Sequence, residues 1–163
     1  PLCFAMDPND ASIVYLGCTK DFTNPEMFKT TDGGTDWSAL SNFPDVSVNE
    51  IAITTDPVKG TWIIAGCSQT LSRGIWLSTD GGNTWNQKLS DVDIYSVDFA
   101  DQFTGYAGAD EGVYKTENDG EHWVLLTDSP QYTNSLKALT ADKVYAATRD
   151  GGMYTTPDGG DTW

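Results

Sequence analysis

Nine carboxylates fall in segments that read as loops: Asp21, Glu26, Asp45, Asp91, Asp93, Asp110, Glu111, Asp128 and Asp150. Two such groups held about 5–10 Å apart across a glycosidic bond can share hydrolysis between an acid and a base or nucleophile. Three aromatics in the same segments, Phe22, Phe43 and Tyr132, offer a flat platform for a sugar ring. Each has a plainer reading. Loop carboxylates are mostly solvated surface charge, and loop aromatics pack their own loops. Asp21, Phe22, Phe43, Asp110, Asp128 and Tyr132 are the candidate residues of a binding face.

Other chemistries find less material. His122 is the single histidine, so histidine-assisted nucleophilic catalysis would have to use it, and no neighbouring pattern supports that. The run DGGTD at 32–36 suggests calcium, which takes six to eight oxygens, but an EF-hand spacing is missing. The expectation is therefore no cofactor, with calcium as the alternative. Of three cysteines, Cys3 and Cys18 fall on consecutive strands. A turn centred near residues 10 and 11 would set them opposite each other for a disulfide. Cys18 and Cys67 instead occupy equivalent places in successive units, and small buried apolar residues are the alternative. No zinc ligand set is present.

The elements that would carry these residues repeat. LSTDGGNTW at 77–85 recurs as KTTDGGTDW (29–37), KTENDGEHW (115–123) and TTPDGGDTW (155–163). The copies align Trp37, Trp85, Trp123 and Trp163 at intervals of 48, 38 and 40 residues, the range of propeller blades and long solenoid repeats. An aromatic precedes the first hydroxyl of each copy by two residues: Phe28, Trp76, Tyr114 and Tyr154. Two short apolar runs precede that, for example IAITTDP (51–57) and WIIAGC (62–67). Each unit reads as strand, turn, strand, loop, strand, signature turn, strand. The expected units are 1–45, 46–91, 92–131 and 132–163.

The signature is built to turn. An Asp side chain accepts a backbone N–H two residues on, and glycine supplies the positive φ of a tight hairpin. Tryptophan then opens the return strand and buries a large apolar surface while its N–H seeks a partner. The residues expected in these structural roles are Asp32, Gly34 and Trp37; Asp80, Gly82 and Trp85; Asn118, Gly120 and Trp123; and Asp158, Gly160 and Trp163. Asn118 and His122 make the third copy the most divergent.

These four stretches resemble the Asp-box, or BNR repeat, of sialidases, xyloglucan-degrading glycosidases, sortilin-type receptors and photosystem assembly propellers. The resemblance implies an all-β chain folded as a β-propeller of four-stranded blades. It identifies an architecture better than an activity. A sialidase is disfavoured, because that family holds its substrate with three arginines and an Arg-Ile-Pro signature. This chain has only Arg73 and Arg149, and lacks that signature.

In such a blade the signature turns share one face with the first turn of each unit, and the irregular loops share the other. A recognition site is expected on the loop face. The fourth unit stops at Trp163, short of its outermost strand. The expectation is about four blades of a larger ring, completed by a partner or further sequence, with self-association as the alternative.

The formal net charge is −15. A nucleic-acid partner needs cationic surface, so none is expected, and an anionic membrane is disfavoured in the same way. No apolar run is long enough to span a bilayer. The chain starts at Pro1 without a signal peptide, which fits one already removed or an excised piece. Together these features point to a non-catalytic scaffold or binding module of a secreted or cell-surface protein, taking a protein or carbohydrate ligand. The alternative is a fragment of a glycoside hydrolase resembling the xyloglucan-degrading enzymes.

Overall fold

The computed structural model describes residues 3–19, 26–56 and 60–163. Among them there is no helix, and the strands fall into four antiparallel sheets, each a simple up-and-down meander. The first sheet holds β1 (Cys3–Met6), β2 (Val14–Gly17), β3 (Met27–Thr30) and β4 (Ser38–Ala39). The second holds β5 (Ser47–Asp56), β6 (Gly60–Ser68), β7 (Gly74–Ser78) and β8 (Asn86–Ser90). The third holds β9 (Ile94–Phe99), β10 (Gly105–Ala109), β11 (Val113–Thr116) and β12 (Val124–Leu125). The fourth has three strands, β13 (Thr133–Ala138), β14 (Val144–Thr148) and β15 (Met153–Thr156).

Small and β-branched residues dominate the second strand of the two middle sheets because both its faces are covered. Every residue of β10, GYAGA, is buried. Three apolar clusters join the four sheets. Met27, Tyr15 and Ile63 belong to the first, Ile75, Ile94 and Trp123 to the second, and Val113, Tyr106 and Leu136 to the third. Each cluster fills one junction, so the sheets form a stack with three internal junctions.

Polar bonds tie the innermost strands together. Glu50 on β5 accepts from Ser96 Oγ (2.5 Å) and from the Val97 amide (3.0 Å) on β9. Asp98 on β9 accepts from the Ala138 amide (2.8 Å) on β13. A carboxylate bonded to backbone N–H on the next sheet sets spacing as well as adding energy.

The turns segregate to two faces. The Gly33 amide donates to Ser12 O and the Gly159 amide to Asp142 O, which joins each signature turn to the first turn of its own sheet. On the opposite face the Val48 amide donates to Cys18 O, and the Tyr132 amide to Asp110 O.

The expected disulfide is not formed. Cys3 pairs across the ladder with Gly17, and Cys3, Cys18 and Cys67 are all free thiols. Met6 pairs with Val14, so the turn centres on residue 10 itself. A half-residue error in the turn centre moves the partner by one, and one residue on a strand reverses the side to which the chain points.

Candidate functional site on the loop face

The signature turns spend their polar atoms on themselves. Asp80 Oδ1 accepts from the Thr84 amide (2.8 Å) and from Ser78 Oγ (2.9 Å), while Thr84 Oγ1 donates to Asp80 Oδ2 (2.6 Å). Asp158 repeats the set with Thr162 and Thr156. Asp32 accepts from the Thr35 and Asp36 amides, at 2.9 and 3.0 Å. Asn118 Oδ1 accepts from the His122 amide (3.0 Å) and Thr116 Oγ1 (3.0 Å), but His122 offers no hydroxyl for a further bond. Trp37, Trp85 and Trp123 donate their indole N–H to the carbonyls of Gly34, Gly82 and Gly120. The buried indole nitrogen of Trp163 has no hydrogen-bond partner among the described residues. These oxygens are therefore engaged locally, and no group of three or more potential metal-ligating side chains is gathered among the described residues.

The loop face gathers a different set. Arg149, just beyond β14, donates to Asp110 Oδ1 at 3.0 Å, across from the third sheet to the fourth. Its guanidinium lies 4.9 Å from the ring centroid of Tyr95, and the Tyr95 hydroxyl donates to Asp110 Oδ2 at 3.4 Å. The Tyr132 amide donates to Asp110 O and the Arg149 amide to Tyr132 O, both at 2.9 Å. Main-chain bonds thus fix the order Asp110–Tyr132–Arg149. Tyr132 is 49% exposed, and its main chain lies between those of the two charged residues. An exposed aromatic on the same loop face as a guanidinium and a carboxylate can stack on an apolar face while the charged groups bond to hydroxyls.

Charge and burial act together here. Bonding to Tyr95, then the field of Asp110, raises the Arg149 guanidinium above its ordinary pKa. Burial raises the Tyr95 phenol, and bonding to Arg149 partly opposes that rise. Of the non-glycine residues with positive φ among those described, Asp119 (62°) lies in the third signature turn and the others lie on the loop face. Gln69, Asp91, Asp128 and Tyr132 take positive φ of 73°, 65°, 60° and 57°. Residues held in this left-handed region cost energy that the surrounding structure must offset, and they cluster at sites of recognition.

Asp110 and Tyr132 come together, and Asp128 lies on the same loop as Tyr132. Phe43 does not join them. It is buried at the junction of the first two sheets, edge-on to Trp85 with centroids 4.8 Å apart, so it is core and not a sugar platform. Asp21 and Phe22 lie outside the described residues. Asp93 is engaged by the Gln69 amide, and Asp150 by Thr148 Oγ1. Tyr95 and Arg149 are the members that sequence reasoning missed. The scarcity of arginine was the available signal: one of two falls in a loop of the face expected to bind.

A groove of about 460 Å³ lies elsewhere, on the outer side of the third sheet, lined by Lys115, Glu117, Asn118, His122, Val124 and Leu126. Its one carboxylate, Glu117, is paired with Lys115 at 2.8 Å. This wall does not bring two acids together.

An all-β stack of radially arranged meanders is the architecture of part of a β-propeller, and comparison with solved structures agrees. The chain matches an ancestral GH74 enzyme with a TM-score of 0.76 at 24% identity, over 98% of this chain and 23% of that one. It matches YCF48 bound to D1 peptide with a TM-score of 0.69 at 18% identity, over 99% of this chain and 53% of that one. Among curated proteins, a xyloglucanase of Hypocrea jecorina is 26% identical, covering 98% of this chain and 19% of the relative. The photosystem II assembly lipoprotein Ycf48 of a Synechococcus strain is 25% identical, covering 82% of this chain and 40% of the relative. No family model matches. The chain thus spans between about a fifth and two fifths of the length of these curated relatives.

Proposed function

We propose that the chain is a multi-blade part of a carbohydrate-active β-propeller of the xyloglucanase kind, and that its loop face supplies a glycan-binding wall. The cluster of Tyr132, Tyr95, Asp110 and Arg149 carries this reading. It combines an exposed ring with a fixed acceptor and a fixed donor, which is what a sugar with one apolar face and several hydroxyls requires. The likeness to xyloglucanases supports the enzyme-fragment reading over that of an independent scaffold. The signature turns act as Asp-boxes in this reading, closing hairpins away from the glycan. A polysaccharide is met outside the cell, so a secreted or cell-surface location goes with it.

The test is binding of xyloglucan oligosaccharides to the 163-residue chain, followed by calorimetry and by tryptophan and tyrosine fluorescence. Tyr132→Ala should weaken binding about tenfold, as expected for removing a central aromatic contact. Phe4→Ala, remote from the cluster, should leave it unchanged. Binding that ignores Tyr132 and Arg149 would refute the assignment of this face.

A further inference from the structure

The innermost strands β5, β9 and β13 break their ladders at the same place. Each carries one residue more than its neighbour there: Asn49 between Val48 and Glu50, Tyr95 between Ile94 and Ser96, and Asn134 between Thr133 and Ser135. All three lie near the loop-face end of their strands. A β-bulge of this kind bends the strand and re-aims the extra side chain. The residue before each bulge is a fixed knob. Val48, Ile94 and Thr133 are 0% exposed, and they fill the notches at Gly17, Gly66 and Gly108 of the preceding sheet. A knob packed this closely leaves its bulged neighbour little freedom of direction.

The bulged residues differ in what they then do. Asn49 is spent on the scaffold: its Nδ2 donates to Ser68 Oγ (2.8 Å) and to Ile94 O (2.6 Å). Ile94 is thus held twice, by its side chain in the Gly66 notch and by its carbonyl on Asn49. Tyr95 follows it directly, with a ring where the other two bulges carry an amide. That ring lies 4.9 Å from the Arg149 guanidinium, and its hydroxyl reaches Asp110, the carboxylate that Arg149 also engages. One side chain therefore touches both members of the ion pair. The Arg149 side chain is 53% exposed, and a long side chain so placed keeps its rotamer freedom unless its head is held.

We infer that Tyr95 is a positioning residue of the loop-face site: the anchored bulge aims its ring, and the ring holds Arg149 in the orientation that meets a ligand. Tyr95 acts through Arg149 and Asp110 and not by touching the ligand. A guanidinium ordered in advance by a ring and a carboxylate loses less freedom when a ligand arrives, so its bonds to sugar hydroxyls cost less to form. The ligand side of this role rests on the glycan reading, whereas the ordering of Arg149 does not. Asparagine at 95 would give this bulge the residue found at the other two and leave Arg149 with Asp110 alone.

Guanidinium signals in proton–nitrogen NMR test the ordering, because the chain has only Arg73 and Arg149 and an Arg73→Lys variant assigns them. In the parent, rotation about the Arg149 Nε–Cζ bond should be slow enough to resolve its Nη protons. In Tyr95→Asn, and in Tyr95→Leu, which keeps bulk without a π face, those signals should average. Both variants should bind xyloglucan oligosaccharides about fivefold more weakly, and Tyr95→Phe, which keeps the ring, about twofold or less. In an Arg149→Ala background Tyr95→Asn should change affinity by less than about twofold, because its effect runs through the missing guanidinium. Backbone amide spectra check that each variant keeps the fold. Equal losses in both backgrounds would mean that the ring only packs, which overturns the proposal, and so would Arg149 signals indifferent to Tyr95. If the parent binds no xyloglucan oligosaccharide, the glycan reading fails, and the Arg149 signals alone decide whether Tyr95 orders it.

Discussion

Gly66 on β6 faces Ile94 on β9 so closely that a Cβ at Gly66 would stand 2.7 Å from Ile94 Cγ2. The same approach recurs at Gly17 against Val48 Cγ1 (2.6 Å) and at Gly108 against Thr133 Cγ2 (2.6 Å). Glycine is required here by space between sheets and not by backbone angle. Gly66→Ala should destabilise the chain by about 1–3 kcal/mol through overpacking. Gly108→Ala should cost more, because its Cβ would also meet the Thr133 carbonyl oxygen at 2.8 Å, and main chain cannot rotate aside. Urea denaturation midpoints provide the ranking, and equal midpoints for both variants and the parent would refute the spacing argument.

Two tyrosines in equivalent positions should respond differently to loss of their hydroxyls. Tyr106 OH donates to Ala141 O at 2.5 Å and also approaches Gly159 O. Tyr15 OH donates to Gly81 O, but Lys29 Nζ donates to that same carbonyl at 3.0 Å. In Tyr15→Phe the carbonyl keeps a partner, so the loss should be about 0.5–1.5 kcal/mol. In Tyr106→Phe the partners lose the donor that faced them, so the loss should be nearer 1–3 kcal/mol. Thermal unfolding of the two variants gives the comparison, and a larger loss for Tyr15→Phe would contradict it.

What could be read from the sequence was local, and what could not was set between sheets. A Ser/Thr-x-Asp/Asn-x-Gly turn satisfies itself within seven residues, so its four copies were legible from spacing, and the all-β propeller followed from the resemblance they carry. The ladder register of Cys3 depended on half a residue in a turn, which spacing does not resolve. Phe43 looked like a loop aromatic, but its burial depends on Trp85 in the next sheet. Arg149 and Asp110 are 39 residues apart and meet only because successive blades place their loops side by side.

The thiols should separate by reactivity. Cys67 is fully buried, and desolvation drives its pKa well above the ordinary thiol value. Burial first, then the field of Glu50, pushes Cys3 up to about 12. The thiolate is the reactive form, so both should be nearly inert to iodoacetamide at pH 8 in the native state. In denaturant without reductant all three cysteines should be alkylated, because none is paired. Mass spectrometry counts the adducts. Two unreactive cysteines in the unfolded chain would reveal a disulfide and contradict the register of β1 on β2.

Acid should weaken the fold through the signature aspartates. Hydrogen bonds from the Thr162 hydroxyl and amide, then from Thr156, lower the Asp158 carboxyl to about 2. Asp32 is lowered as well, chiefly by the Asp36 amide and Thr30. A group with a depressed pKa in the folded state contributes stability above its unfolded value, near 3.9, and loses it as pH falls through the folded value. The loss should therefore appear between about pH 4 and pH 2. Asn118 shows that an amide oxygen can accept the same turn bond without titrating. Replacing Asp32, Asp80 and Asp158 together by Asn should therefore lower the urea midpoint modestly at neutral pH and flatten its decline in acid. If the parent and the triple variant declined in parallel from pH 4 to pH 2, the signature aspartates would not be the source of the acid sensitivity.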